Sequence, residues 1–370
     1  MTATLTAFLA LSPAGLFGPD IEEVDPAKSA AENAAAIADR FAAKYPDRCL
    51  VIGVFENGVR TVEARGTLPG GRPVDASTRF EIGSVTKTFT GLLLADAVTR
   101  GEVTLDTTLA GLLPERKLSE SVAAVTLRQL ATHRSGLPRM PPKFSPADPN
   151  NPFADVTADA VLSQLADLKV KPTEGMEYSN LGAGLVADAL AERAGTTVPV
   201  LMRDRVFRPL SLTQTDFAGG PAGVVTRPLP PLAPPHRGQL AIEPWRFGAL
   251  AGCGGVRSSA ADMLDYAEFV LRPSGPLADA ARLATTPHET RGQDVGLFWI
   301  LTGDADAPVL WHNGATYGTT AYLAVDRAKG RCVLVMKNST NLFRLVASGS
   351  LPDRIGRALI ELPAAEPRGA

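Results

Sequence analysis

Between Ala30 and Ala43 an alanine-rich run carries Ile37 and Phe41 four residues apart on one side, which predicts a helix. Two β-rich runs follow, Cys49 to Val54 and Val59 to Ala64. Glu56-Asn57-Gly58 joins them, and Asn-Gly between such runs predicts a tight hairpin. Val85, Phe89, Leu92 and Leu93 then recur at helical spacing until Gly101, so a helix is expected with Ser84 in its first turn. From about residue 101 to 210, short helical stretches alternate with loops rich in Pro, Gly and Asp, such as Pro138 to Pro152. Among them, Leu127 to Thr132 reads as a short helix capped by Thr126, and Leu181 to Ala194 as a longer one closed by Gly195.

Arg227 to Pro235 is too rich in proline for a helix or a central strand. It reads as a rigid extended loop, either a plain connector or one wall of a substrate cleft. The later chain turns to strands at Val295 to Leu301, Thr319 to Val325 and Arg331 to Lys337, with turn material at Asp326 to Gly330. Leu345 to Leu362 supplies a last helix, interrupted or initiated near Leu351-Pro352. Strands near both ends with helices between them predict an α/β fold of the α+β type. Residues 28–100 and 290–365 would share a mainly antiparallel sheet flanked by helices, and 101–289 would form an inserted, mostly helical subdomain with cleft loops. Residues 1–27 would be a leader, possibly disordered.

With 370 residues the chain can bury a large core, and its 45% hydrophobic and 21% charged content is that of a globular protein. A net charge of −2 without basic clusters sets nucleic-acid binding aside. Cys49, Cys253 and Cys332 lack C-x-x-C spacing, and His133, His236, His288 and His312 include no H-E-x-x-H pair, so neither a metal nor any other cofactor is expected. The apolar run Leu5 to Leu11 is too short to span a membrane, no Lys or Arg precedes Lys28, and Pro13 and Gly15 interrupt it. An unprocessed leader and a soluble protein are expected, cytoplasmic in preference to secreted or periplasmic; nothing specifies an oligomeric state.

The chemistry begins at Ser84-Val85-Thr86-Lys87. Residues three apart share a helix face, so the Lys87 amine can reach the Ser84 hydroxyl, and a first-turn serine has free backbone N–H groups for developing negative charge. A serine hydroxyl needs such a base to act as a nucleophile. Taken alone, the same four residues also describe a capping serine and a solvated lysine. Two later stretches change the balance: Tyr178-Ser179-Asn180, and Trp311-His312-Asn313-Gly314-Ala315 in strand-like sequence. The chain has one S-x-x-K and one Y-x-N.

That order of motifs resembles the class C β-lactamase-like superfamily of penicillin-recognising serine hydrolases, which includes penicillin-binding proteins, esterases and D-aminopeptidases. Phe80 to Gly101 is similar to the family's nucleophile helix, Leu130 to Pro138 to a recurrent family loop, and Ala251 to Met263 to a glycine-rich stretch ending in a helix. The resemblance covers roughly residues 30 to 360 and implies a serine β-lactamase-like fold. It implies Ser84 as the acylated nucleophile, Lys87 and Tyr178 as its proton-transfer partners, and Asn180 as a donor to a substrate carbonyl. It also implies an oxyanion hole from the backbone N–H groups of Ser84 and Ala315, with Gly314 allowing substrate close to the strand. Where the family usually has Lys-Thr-Gly or Lys-Ser-Gly this chain has His312-Asn313-Gly314, and neutral histidine is a weaker anchor for a substrate carboxylate. A second His-x-Gly, His236-Arg237-Gly238, lies beside the proline-rich loop in less strand-like sequence.

The expected activity is therefore that of a serine hydrolase working through an acyl-enzyme on small esters or amides. An acyltransferase would need the same residues, and a β-lactamase or D-alanyl peptidase is a third enzymatic reading, with a lactam or peptide as partner. A non-catalytic ligand-binding or sensor protein on the same fold is the non-enzymatic reading, against which the joint presence of Ser84, Lys87 and Tyr178 argues. No G-x-S-x-G occurs, which disfavours an α/β-hydrolase.

Overall fold

The computed structural model describes residues 21–218, 228–340 and 349–364. The apolar run Leu5 to Leu11, Arg227 of the proline-rich loop, and the first residues expected of the last helix lie outside them. Helix α1 (Ala30–Lys44) starts at a capping box, with Ser29 and Glu32 each satisfying the other's backbone N–H. Strands β1 (Leu50–Glu56) and β2 (Val59–Arg65) form the expected hairpin. Asn57 and Gly58 both take positive φ, 52° and 79°, the geometry that makes Asn-Gly favourable there. A short β3 (Arg79–Glu81) leads into a single 3-10 turn, Gly83–Val85, and then α2 (Thr86–Thr99). Ser84 thus sits in a tight turn ahead of the α-helix, one step earlier than the periodicity predicts.

In the middle of the chain, α3 (Leu127–Ala131) has the capping box Thr126–Gln129, and α4 (Asn180–Arg193) is capped by the Ser179 side chain. Strand β4 (Val256–Ser259) pairs with β3 and runs into α5 (Ala260–Leu271), which is followed by α6 (Ala278–Thr285). The run Val295 to Leu301 is not one strand. It divides into β5 (Asp294–Val295) and β6 (Ile300–Thr302), with Phe298 at φ 63° between them. Leu297 and Phe298 turn away to bond the carbonyls of Ala284 and Ala131, which buries both side chains against the helices. Strands β7 (Val309–Ala315), β8 (Thr320–Asp326) and β9 (Arg331–Lys337) follow, and α7 (Leu351–Glu361) starts at the Ser350–Asp353 capping box with Pro352 in its first turn.

The seven-stranded sheet runs β2-β1-β9-β8-β7-β6-β5, and every pair in it is antiparallel. Alternation along β1, β8 and β9 splits the core in two. Leu50, Ile52, Val54, Tyr322, Val333 and Val335 face α1 and α7 on one side. Val51, Leu323, Leu334 and Met336 face the larger core on the other. There α5, although it belongs to the middle of the chain, packs on β1, β8 and β9. Helix α2 lies deeper, between α4 and α6, and is buried on almost all sides. At the start of the described residues, Ile21 is buried in the α1/α7 core, its carbonyl accepts from Arg40, and Glu22 pairs with Arg354.

Arg331 ties this outer layer down. Fully buried, it bonds Glu56 through Nε at 2.7 Å, and its Nη1 donates to the carbonyls of Leu359, Ile360 and Leu362 at the end of α7. Those carbonyls lie where the helix runs out of its own donors, and that of Ile360 also accepts from Lys329 Nζ at 2.9 Å. Arg331→Met is expected to cost about 3–5 kcal/mol in denaturant unfolding, because it strands the Glu56 carboxylate. The double variant Glu56→Leu/Arg331→Met should recover part of that loss; a single variant as stable as the native chain would contradict the assignment.

Candidate active site

The site lies where the 3-10 turn carrying Ser84 meets the end of β7. Strand β6 pairs with β7 only from Val309 to Trp311, which leaves the later half of β7 as an open edge. That edge presses against the turn. A Cβ placed on Gly314 would lie 1.9 Å from the Ile82 carbonyl oxygen and 2.9 Å from the Ser84 nitrogen. One on Gly83, itself at φ 50°, would lie 2.5 Å from the Ala315 nitrogen. The close approach that Gly314 permits is thus that of the Ser84 turn.

Ser84 is partly exposed and Lys87, one turn on, is wholly buried. The Lys87 amine donates to Cys253 O at 2.6 Å and Asn180 Oδ1 at 2.8 Å, and lies 3.2 Å from Ser84 Oγ. No carboxylate forms an ion pair with it among the described residues. Its Nζ sits 4.8 Å from the centre of the Tyr178 ring, so Lys87 meets Tyr178 through the ring face.

Tyr178 is positioned by a residue the motif reading passed over. His133, at φ 57°, accepts the Glu177 N–H on its carbonyl at 2.7 Å and the Ser179 N–H on Nδ1 at 3.2 Å. Its ring lies 4.6 Å from that of Tyr178, so the histidine holds the tyrosine's two neighbours and one side of the ring. Asn180 is fixed likewise, since its backbone N–H donates to the Arg139 carbonyl at 2.9 Å.

A cleft of about 400 Å³ opens over Ser84 and is lined also by Tyr178, Asn180, Asn313, Gly314 and Ala315. Its aromatic side is Phe153, Trp245, Phe247 and Tyr317, with Phe153 and Phe247 stacked at 4.7 Å and Trp245 edge-on to Tyr317 at 4.8 Å. Behind it, buried Glu81 accepts the Trp245 N–H at 2.6 Å on one oxygen and the Thr316 hydroxyl at 2.8 Å on the other. Burial pushes the Glu81 carboxyl upward from its ordinary range. Among the described residues, 228–235 of the proline-rich segment do not line this cleft, and Leu232 bridges to Arg79 of β3. His236-Arg237-Gly238 also lies outside the lining.

The profile of the beta-lactamase family matches residues 35–349, a span that holds all of these groups. The chain belongs to the beta-lactamase family. Among its relatives, the D-alanyl-D-alanine-carboxypeptidase/endopeptidase AmpH of Escherichia coli (strain K12) is 27% identical over 81% of this chain and 82% of that protein. Esterase EstB of Burkholderia gladioli is 31% identical over 73% of this chain and 79% of its own. A class C beta lactamase from Rhodobacter sphaeroides shares the fold, with a TM-score of 0.72, 24% identity, and coverage of 89% of this chain and 98% of that one.

This beta-lactamase-family chain departs from expectation at His312. The side chain is 1% exposed and does not line the cleft, so direct contact with substrate is not what the structure has. The even positions of β7 face inward, which turns His312 towards Lys87 and the Tyr178 ring, 6.2 Å away. Its Nδ1–H donates to the Asn313 carbonyl at 2.6 Å, leaving a bare, buried Nε2. Burial, together with the charge of Lys87, pulls its pKa down to about 3, so the ring is neutral. Among the described residues no helix is long and apolar enough to cross a membrane, and no cluster of His, Cys, Asp and Glu could hold a metal ion.

Two predictions follow from this geometry. Gly314→Ala should lower unfolding stability by about 1–3 kcal/mol through overpacking at the turn, read by chemical denaturation; an unchanged midpoint would count against the close contact. An unfolded imidazole titrates near 6.5, whereas folded His312 stays neutral to about 3. Between those values only the unfolded chain takes up the proton, so stability present above pH 6.5 is lost as pH falls towards 3. His312→Gln should flatten that part of the stability–pH curve; an equal slope in both proteins would refute the buried neutral ring.

Proposed function

We propose that this protein is a serine hydrolase that forms a covalent acyl-enzyme on Ser84 and cleaves small esters or amides. The observation that carries the reading is the set of partners around the Lys87 amine. Cys253 O and Asn180 Oδ1 can only accept, so they fix two N–H bonds, and the third direction of the nitrogen faces Ser84 Oγ. A base in that position is directed at the proton that must leave the hydroxyl.

Ser84 Oγ attacks the carbonyl carbon and its proton passes to Lys87, while the carbonyl electron pair moves onto oxygen. The backbone N–H groups of Ser84 and Ala315, brought together by the two glycines, hold that oxyanion. Collapse restores the carbonyl and breaks the bond to the alcohol or amine, which takes a proton by way of Tyr178. Water then repeats the sequence on acyl-Ser84 and releases the acid. Esters and amides are favoured over β-lactams because β7 offers a buried neutral histidine where a lysine would anchor a lactam carboxylate.

Incubation with a fluorophosphonate should add one adduct to the intact mass of the native protein and none to Ser84→Ala. That variant should also lose p-nitrophenyl ester hydrolysis by at least about a thousandfold. Penicillin should label the native chain slowly if at all. An unlabelled native protein would remove the nucleophile from the proposal, and product formation that speeds up with added alcohol would favour acyl transfer over hydrolysis.

A further inference from the structure

Asn180, the first residue of α4, lines the cleft over Ser84. The later turns of the same helix line a second cavity, of about 380 Å³, a size that takes a small molecule. The helix Ala158–Leu165 and the segment Thr196 to Pro199 complete its sides, and Ala158, Glu192 and Thr197 are exposed at its rim. Inside it is apolar, with Leu113, Val161, Leu162, Leu185 and Val198 all buried.

Among the described residues of this lining two bear a formal charge, and both are acids. Glu192 is already matched, since Arg116 donates to its two oxygens at 3.0 and 3.1 Å. Asp188 is not. One of its oxygens accepts the Leu250 N–H at 3.0 Å, and among the described residues the carboxylate accepts no other hydrogen bond and forms no ion pair. Burial, with the charge of Glu192 one turn along, pushes its pKa up to about 6. The bond to Leu250 does not account for the charge, because a neutral amide would accept that N–H equally well. A carboxylate in apolar surroundings is costly unless a cation or further donors replace the lost water, and this lining supplies neither.

We propose that the cavity is a second binding site, separate from the cleft over Ser84, and that its ligand is a small apolar amine. The ammonium group pairs with Asp188, and the alkyl body packs among Val161, Leu162, Leu185 and Val198. A neutral apolar molecule of the same shape leaves the carboxylate unpaired. An apolar acid meets repulsion from Asp188 and Glu192 together.

The test is calorimetric titration of the full chain with n-hexylammonium, n-hexanol and hexanoate. The amine should bind at one site with a Kd at least about tenfold lower than that of the alcohol, the difference a charge-assisted hydrogen bond makes, and hexanoate should not bind. Equal affinity for amine and alcohol on the native protein overturns the proposal without any variant. Asp188→Asn keeps an acceptor for the Leu250 N–H and should bring the amine down to the level of the alcohol; a preference that survives it also overturns the proposal. Ala158→Trp, at the exposed rim, should weaken the amine and the alcohol alike, and undiminished binding would place the site elsewhere. An amine that only raises KM for a p-nitrophenyl ester, in native and Asp188→Asn proteins equally, belongs to the cleft over Ser84 and removes the second site.

Discussion

The backbone of Gly314 lies against the Ile82 carbonyl and the Ser84 amide with no space for a side chain, and the whole site is set by that contact. It joins two parts of the chain some 230 residues apart: a turn leading into the central helix, and the open edge of a late strand. The sheet makes the contact possible by pairing β6 with only the first half of β7, so the second half is free to meet the turn. The turn makes it possible by closing as a 3-10 segment with Gly83 at positive φ. Both backbones give up side chains at the junction, and what they gain is a pair of amides beside the Ser84 hydroxyl.

Around that junction the structure buries charge and polarity that most cores exclude. Lys87 and Glu81 are both nearly or wholly buried, and neither depends on a single opposite charge. Each is satisfied by several neutral groups: carbonyl and amide oxygens for the lysine, an amide N–H and hydroxyls for the glutamate. Isolated buried charges are costly unless hydrogen bonds replace the lost water, and here those bonds also fix distances. The lysine is held to its serine and the glutamate to the cleft wall, so the polar groups that cost stability also set the geometry.

Local rules account for most of what the sequence reveals. The Asn57-Gly58 hairpin, the cap at Thr126 and the end of α4 at Gly195 are short-range features, written in the residues that form them. Ser84, Lys87, Tyr178 and Asn180 are legible because two short motifs each occur once, and the fold brings them to one place. What escapes is decided by distant packing. Val295 to Leu301 has the composition of a strand, but the space beneath α2 and α6 draws Leu297 and Phe298 out of the ladder. His312 is polar and next to the site, yet the two-residue period of β7 turns it inward. The aromatic wall is drawn from residues 153, 245, 247 and 317, which no sequence window unites. His133 had a signal, a histidine in a recurring loop, but its role lies in a left-handed backbone that the sequence does not display.

Glu81 has a consequence for how such a cleft can change over time. Because one carboxylate holds both the backbone at Trp245 and the hydroxyl of Thr316, those two stretches of wall share a single support and must vary together. The loop that carries Phe153 is tied to the same wall, since the Asn150 carbonyl accepts from Trp245 Nε1 at 2.9 Å and Asn151 Oδ1 accepts the Arg246 N–H at 2.8 Å. Residues 150–153, 245 and 316 are thus linked, and a change in pocket shape has to be distributed over all three stretches of wall.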